Sequence, residues 1–165
     1  MSKSKKSGKS DKTTSSGEKI VCRNRRARHD YEITDTIEAG IVLTGTEAKS
    51  LRAGKASLEE SYARVERDEV WLIRADIPEY AMANIMNHEP KRKRKLLLHR
   101  REIAKFAKKG MEQGFTLIPL QLYFKRGRAK VQLGLGRGKR QYDKRESLKE
   151  KTHKREMERA RRSRG

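Results

Sequence analysis

The alternation of apolar residues between Thr116 and Leu135 constrains the fold more than any other stretch of this chain. Ile118, Leu120, Leu122 and Phe124 occupy even positions, and Val131, Leu133 and Leu135 occupy odd positions beyond Arg126-Gly127. Two period-2 runs around a Gly-containing turn predict a β-hairpin with one apolar face. The other face carries Gln121, Tyr123, Lys125, Lys130 and Gln132, a polar and cationic surface. A further strand is expected over Glu69 to Ile77, with Trp71, Ile73, Ala75 and Ile77 on one side. Tyr62 to Val65 is its hairpin partner across Arg67-Asp68. Tyr31 to Thr34 and Thr36 to Leu43 bring the set to about six short strands. The class is mainly β with a few helices, and this strand count suits a small closed antiparallel β-barrel. Thr44 and Glu47 have capping-box spacing ahead of a short helix around residues 46–53. A longer helix is expected from about His99 to Gln113, with Ile103, Phe106, Ala107 and Met111 as its apolar stripe and Gly114 as its stop.

Charge sets the partner. The 165 residues hold 43 Lys plus Arg against 22 Asp plus Glu, a formal net charge of +21. Such a field attracts polyanions. No stretch has the apolar length of a membrane span, no apolar segment follows the basic N-terminus to make a secretory signal, and no long helix with a clean apolar face suits a membrane surface. Cys22 is the only cysteine, so neither an intrachain disulfide nor a Cys-rich metal site is expected. A cytoplasmic protein bound to nucleic acid is the simplest class.

Three zones differ in composition. Residues 1–17 are almost wholly polar and are expected to be disordered. Residues 18–136 hold nearly all the apolar side chains and form one domain. Residues 137–165 carry 13 Lys plus Arg against 5 Asp plus Glu, net +8. This tail has helix formers and opposite charges four apart, such as Glu150 and Lys154, but no apolar face. It is expected to be disordered when free and helical on a polyanionic surface.

The run Lys91, Arg92, Lys93, Arg94 and Lys95 sits between Pro90 and Leu96, Leu97 and Leu98. Pro90 marks a loop, and the leucines anchor its end to a core. The reading is a cationic arm on a fixed base that grips phosphates. Arg23, Arg25, Arg26 and Arg28 precede Tyr31, and Lys125, Arg126, Arg128 and Lys130 lie beside Tyr123. Cations next to planar side chains suit RNA, whose splayed bases stack while Arg and Lys hold the backbone. For Tyr31 and Tyr123 a place in the barrel with the hydroxyl at the rim is an equal alternative.

Catalysis finds little support. His29, His88, His99 and His153 are scattered, with no zinc-ligand spacing to cysteine. His29-Asp30 is a weak acid/base pair, since neighbours on a strand face opposite ways. Gly134, Gly136, Gly138 and Lys139 fall one residue short of phosphate-loop spacing and lack the following Ser or Thr. These glycines are read as strand-end flexibility. No catalytic residue, metal site or cofactor is expected.

Several blocks occur in order: N-R-R-A-R-H-D-Y at 24–31, E-A-G at 38–40, G-T-E-A-K-S-L-R-A-G-K at 45–55, H-E-P-K-R-K-R-K-L-L-L at 88–98 and R-G-K-R-Q-Y-D-K-R at 137–145. Together they resemble the SsrA-binding protein (small protein B) family from about residue 20 to 150. The resemblance implies an oligonucleotide-binding-like (OB-like) barrel. It also implies a role in trans-translation, the rescue of stalled bacterial ribosomes by transfer-messenger RNA (tmRNA). The implied partners are the tRNA-like domain of tmRNA and the stalled ribosome at its small-subunit decoding region and mRNA channel. Elongation factor Tu is an indirect partner through alanyl-tmRNA.

Carried over by position, the implied RNA-contacting face falls on Asn24, Arg25, Arg26, Tyr31, Glu38, Leu97 and Lys130, with Lys91 to Lys95 beside it. The implied decoding-region segment is Arg137, Lys139, Arg140, Tyr142, Asp143, Lys144 and Arg145, and the rest of the tail enters the empty channel as a helix. Many relatives carry His where this chain has Tyr142, and a phenol stacks but gains no charge near neutral pH. The alternative reading is a generic OB-type ribosomal or RNA-chaperone protein that binds structured RNA through its backbone.

Overall fold

The computed structural model describes residues 13–14, 17–83, 85–112, 114–139 and 151–159. In chain order the strands are β1 (Thr13–Thr14), β2 (Glu18–Arg23), β3 (Tyr31–Ile41), β4 (Tyr62–Glu66), β5 (Glu69–Ile73), β6 (Arg94–Leu97), β7 (Phe115–Lys125) and β8 (Arg128–Gly138). Helices α1 (Ala27–Asp30), α2 (Gly45–Arg52) and α3 (Arg100–Gly110) lie between them. Residues 151–159 are also helical, exposed at every position, within the tail expected to be helical only when bound.

The sheet closes on itself. β7 pairs with β4, β4 with β5, β5 with β6, β6 with β3, β3 with β8 and β8 back with β7, all antiparallel. Six strands thus make the ring, and closure removes the free edges an open sheet would expose. β2 adds to the second half of β7, and β1 pairs with the start of β2 through Thr13↔Lys19 and Thr14↔Glu18. Thr13 and Thr14 are therefore paired within the N-terminal stretch expected to be disordered. β2, β6 and α1 are elements that periodicity did not reveal.

Both hairpin turns use left-handed backbone. Arg126 and Gly127 have φ of 49° and 74°, and Arg67 and Asp68 have φ of 48° and 60°. Two consecutive positive-φ residues match the right-handed twist of the flanking strands.

A bulge changes the expected face of β7. The register slips between Pro119 and Gln121, where a residue without an N–H is tolerated. Leu117 and Leu122 face the barrel interior with Val131, Leu133 and Leu135, whereas Ile118 and Leu120 join Ala27 in a second cluster covered by Tyr31 and Ile33. The even positions therefore do not share one face. Gly134 and Gly136 lie inside β8 beneath this second cluster. A Cβ at Gly136 would come within 2.9 Å of Ile33 Cδ1 and 3.0 Å of Ile118 Cδ1. These glycines make room for neighbours, and the reading as strand-end flexibility is corrected.

Trp71 is corrected too. Val70 and Leu72 point into the core, while Trp71 is half-buried opposite Arg64 and Lys95. Arg74, at φ 60°, reverses the chain's phase, after which Ala75 and Ile77 are buried. α2 begins as expected, with Glu47 accepting the Thr44 N–H at 2.8 Å. α3 buries Phe106 and packs Ile103 on the core, but Met111 lies past its end, 87% exposed.

Candidate nucleic-acid interface

Four strands set one row of residues side by side on the outer face of the barrel. Leu97 of β6 pairs with Gly40 of β3, Gly40 with Lys130 of β8, and Lys130 with Tyr123 of β7. Adjacent strands lie about 4.8 Å apart, so the row spans roughly 15 Å. A Cβ on Gly40 would sit 3.3 Å from Leu97 Cβ, so glycine lets the exposed Leu97 lie across β3.

Glu38, two residues before Gly40, is the polar centre of this face. Its carboxylate accepts the Tyr123 hydroxyl and the Lys125 ammonium, the latter at 3.1 Å, and Lys130 stands 3.7 Å away. The Tyr123 hydrogen bond, helped by the two lysines, holds the Glu38 carboxyl below its ordinary range. Burial and the same carboxylate push the Tyr123 phenol far up, so it stays a neutral donor. Tyr123 is only 4% exposed. It cannot stack on a base, and its rim alternative is the one that holds.

Glu38, Leu97 and Lys130 line one open groove of about 750 Å³. Arg52 from α2, Arg128 from β8, His99 just before α3 and Glu102 within α3 also line it. Arg52 was not among the residues expected here. Its only sequence signal is a cation in the last turn of α2, and nothing local says that this turn faces β3.

The other expected contacts lie elsewhere. Tyr31 is nine residues before Gly40 on the β3–β8 ladder, roughly 30 Å away at about 3.3 Å per residue. Arg26 and Tyr31 line a smaller depression of about 230 Å³ with Asp30 and Tyr62. Arg25 and Arg26 are exposed. Asn24 is buried, and its side chain is fully committed within the protein. Its amide donates to Leu58 O at 3.0 Å and Pro119 O at 3.1 Å, and its Oδ1 accepts the Ala27 N–H at 3.1 Å. Its expected place as an RNA contact is corrected to a strut that ties α1 and β7 to the chain near Leu58.

The basic loop is less free than its sequence implies. Arg94 has no exposed side chain. It donates to Glu47 at 2.9 Å and to the carbonyls of Ala75, Pro90 and Arg92. Arg92 grips the same buried carboxylate with two nitrogens at 2.6 Å. Burial opposes ionisation of Glu47, but Arg92, the Thr44 amide and Arg94 outweigh it and hold its carboxyl below the ordinary range. Lys95, within β6, pairs with Glu69 at the start of β5. Lys91 and Lys93 are more than half exposed, at 3.8 Å from Glu60 and 3.5 Å from Glu66. The five-residue arm is corrected. Arg94 is an internal cation, Arg92 is its partner in a shared ion pair, and Lys91 and Lys93 remain turned to solvent.

No enzyme-like constellation appears among the described residues. His88 is buried between Thr46 Oγ1 and Ile77 O. His29 meets Asp30 at 3.0 Å, because both lie on α1 and not on a strand. Burial pushes the Cys22 thiol up to about 11. Among the described residues no group of His, Cys, Asp and Glu is placed to hold a metal, and no helix is long and apolar enough to cross a membrane. Arg137 is exposed at the end of β8, and Lys139 donates to Arg28 O at 3.1 Å. Arg140, Tyr142, Asp143, Lys144 and Arg145 lie outside the described residues.

The comparisons with known proteins agree with one another. The family model described as "SmpB protein" matches residues 21–163. The chain is 61% identical over 148 residues to the SsrA-binding protein of Thermobifida fusca, covering 90% of this chain and 92% of the relative. It is 58% identical over 150 residues to the SsrA-binding protein of Methylobacterium nodulans, covering 90% and 96%. A solved structure described as "tmRNA-SmpB: a journey to the center of the bacterial ribosome" superposes with a TM-score of 0.63 at 51% identity, covering 77% of this chain and 93% of that one. The closed barrel, its cationic outer face and a family match that runs through most of the chain lead to one assignment: the chain belongs to the SmpB family of SsrA-binding proteins.

Proposed function

We propose that this protein is the RNA-binding factor of trans-translation, that it binds the tRNA-like domain of tmRNA and that it brings that RNA to stalled ribosomes. The observation that carries this is the arrangement around Glu38. An ionised carboxylate is held by Tyr123, Lys125 and Lys130, next to the exposed Leu97. A surface built only for phosphate would gain nothing from an anion at its centre. A carboxylate accepts hydrogen bonds from base or ribose donors, which gives selectivity beyond charge. Lys130, Arg128 and Arg52 then supply backbone attraction around it.

In this reading Lys91, Lys93, Arg25 and Arg26 extend the basic surface. The tail from Arg137 enters the small-subunit decoding region, with Tyr142, Asp143, Lys144 and Arg145 as its contacts, and continues into the mRNA channel. A message filling that channel excludes the tail and is spared. The protein acts in the cytoplasm, without a cofactor and without catalysing a reaction.

Competition binding at physiological salt tests this. Labelled tRNA-like domain of tmRNA is challenged with ordinary tRNA and with random RNA of equal length. Clear preference for the tRNA-like domain is expected. Equal competition by all three would replace the proposal with a generic RNA-binding barrel of the ribosomal or chaperone kind.

A further inference from the structure

The segment between Ile77 and His88 carries an exposed apolar surface outside the groove lined by Glu38, Leu97 and Lys130. Met82, Ile85 and Met86 are 85%, 101% and 88% exposed. Three large apolar side chains on one loop are costly in water and mark an interaction site more often than chance. The base of the loop is fixed. Asn87 closes it on Tyr80 from both sides, accepting the Tyr80 N–H at 3.2 Å and donating to Tyr80 O at 3.0 Å. Pro78 O accepts the Ser50 hydroxyl at 2.7 Å, and Lys49 lies over the Tyr80 ring. The loop is thus clamped to α2, and its apolar tip stands clear of the barrel.

Charge decides what meets the tip. Residues 75–90 contain Asp76, Glu79 and Glu89 but no Lys or Arg, although the chain as a whole holds 43. A segment without Lys or Arg offers phosphate no cation of its own, and phosphate contacts dominate nucleic-acid binding. An apolar tip flanked by acids suits a protein surface instead, and Met side chains adapt to an apolar pocket. We propose that Met82, Ile85 and Met86 form a protein-docking knob that seats in an apolar pocket bordered by basic side chains on a protein of the stalled ribosome. The choice of ribosome as the site rests on the function proposed above.

The test uses the full chain with tmRNA and purified stalled ribosomes. A benzophenone amino acid placed at Ile85 is photoactivated in the complex, and the crosslinked component is identified. In parallel, the triple variant Met82→Ser, Ile85→Ser, Met86→Ser is compared with the unaltered chain. The variant is expected to unfold at the same temperature and to bind the tRNA-like domain unchanged, since none of the three side chains is packed. It should leave ribosomes about tenfold faster, an effect in reach of burying even one such side chain. The crosslink should fall on a ribosomal protein. A crosslink to RNA, to a second copy of this chain or to nothing overturns the proposal, as does a variant retained as long as the unaltered chain. If the unaltered chain itself binds neither RNA nor ribosomes, the proposed function falls with it, and that failure is visible before the variant is examined.

Discussion

Arg94 and Glu47 face each other at 2.9 Å with neither side chain exposed to solvent. Arg92 reaches the same carboxylate from the surface. Two cations from the basic run are thereby used to hold β6 and the preceding loop against α2. Glu47→Gln should destabilise the fold by about 3–5 kcal/mol, the usual cost of leaving a buried charge unpaired. Because the folded carboxyl lies below its ordinary value of 4.5, its contribution is fully present above that pH. It is lost as pH falls through the lower folded value. Urea unfolding between pH 3 and 6 should show a decline toward acid in the unaltered chain, and Glu47→Gln should lack that part of it. Equal slopes would remove Glu47 as the cause.

The basic loop should divide into two classes of effect. Lys91→Gln with Lys93→Gln should leave stability unchanged and weaken RNA binding. The salt dependence should flatten by up to about 0.7 log units per log unit of salt for each single-strand phosphate that the variant no longer neutralises. Arg94→Gln should instead lower the unfolding midpoint. RNA titrations over a range of salt, paired with thermal unfolding, separate the two. A destabilised lysine variant, or an unchanged salt slope, would contradict this division.

Glu38→Lys should weaken binding of the tRNA-like domain more than binding of random RNA. The change adds a cation, so charge alone predicts tighter binding to any RNA. It also removes the acceptor held by Tyr123 and Lys125. Tighter or unchanged binding to the tRNA-like domain would make Glu38 a purely structural acid.

Asn24→Ala should cost about 1–3 kcal/mol, because Pro119 O and the Ala27 N–H would lose their buried Asn24 partner, while Leu58 O keeps the Ser61 hydroxyl and N–H. RNA affinity per folded molecule should stay the same. A loss of affinity without a loss of stability would restore Asn24 to the interface.

Much of the architecture was legible from local pattern. The period-2 runs marked the two hairpins, the Thr44 and Glu47 spacing marked α2, and the ordered blocks marked the family. Where local pattern failed, a backbone irregularity intervened. The bulge at Pro119 moved Ile118 and Leu120 to another face, and the left-handed Arg74 moved the buried side from Trp71 to its neighbours. Neither event leaves a clear trace in hydrophobic alternation.

Sequence alone determined the mainly β class and the cationic character, because side-chain period and net charge are properties of the chain itself, whereas closure of the ring through β6 came from tertiary pairing. Tertiary structure decided which cations face solvent. Arg94 and Lys93 are adjacent and alike in sequence, yet one is sealed against Glu47 and the other lies beside Glu66 at the surface. Only strand register places Leu97, Gly40, Lys130 and Tyr123 in one row, since pairing energies between distant segments, and not local propensity, fix which residues become neighbours.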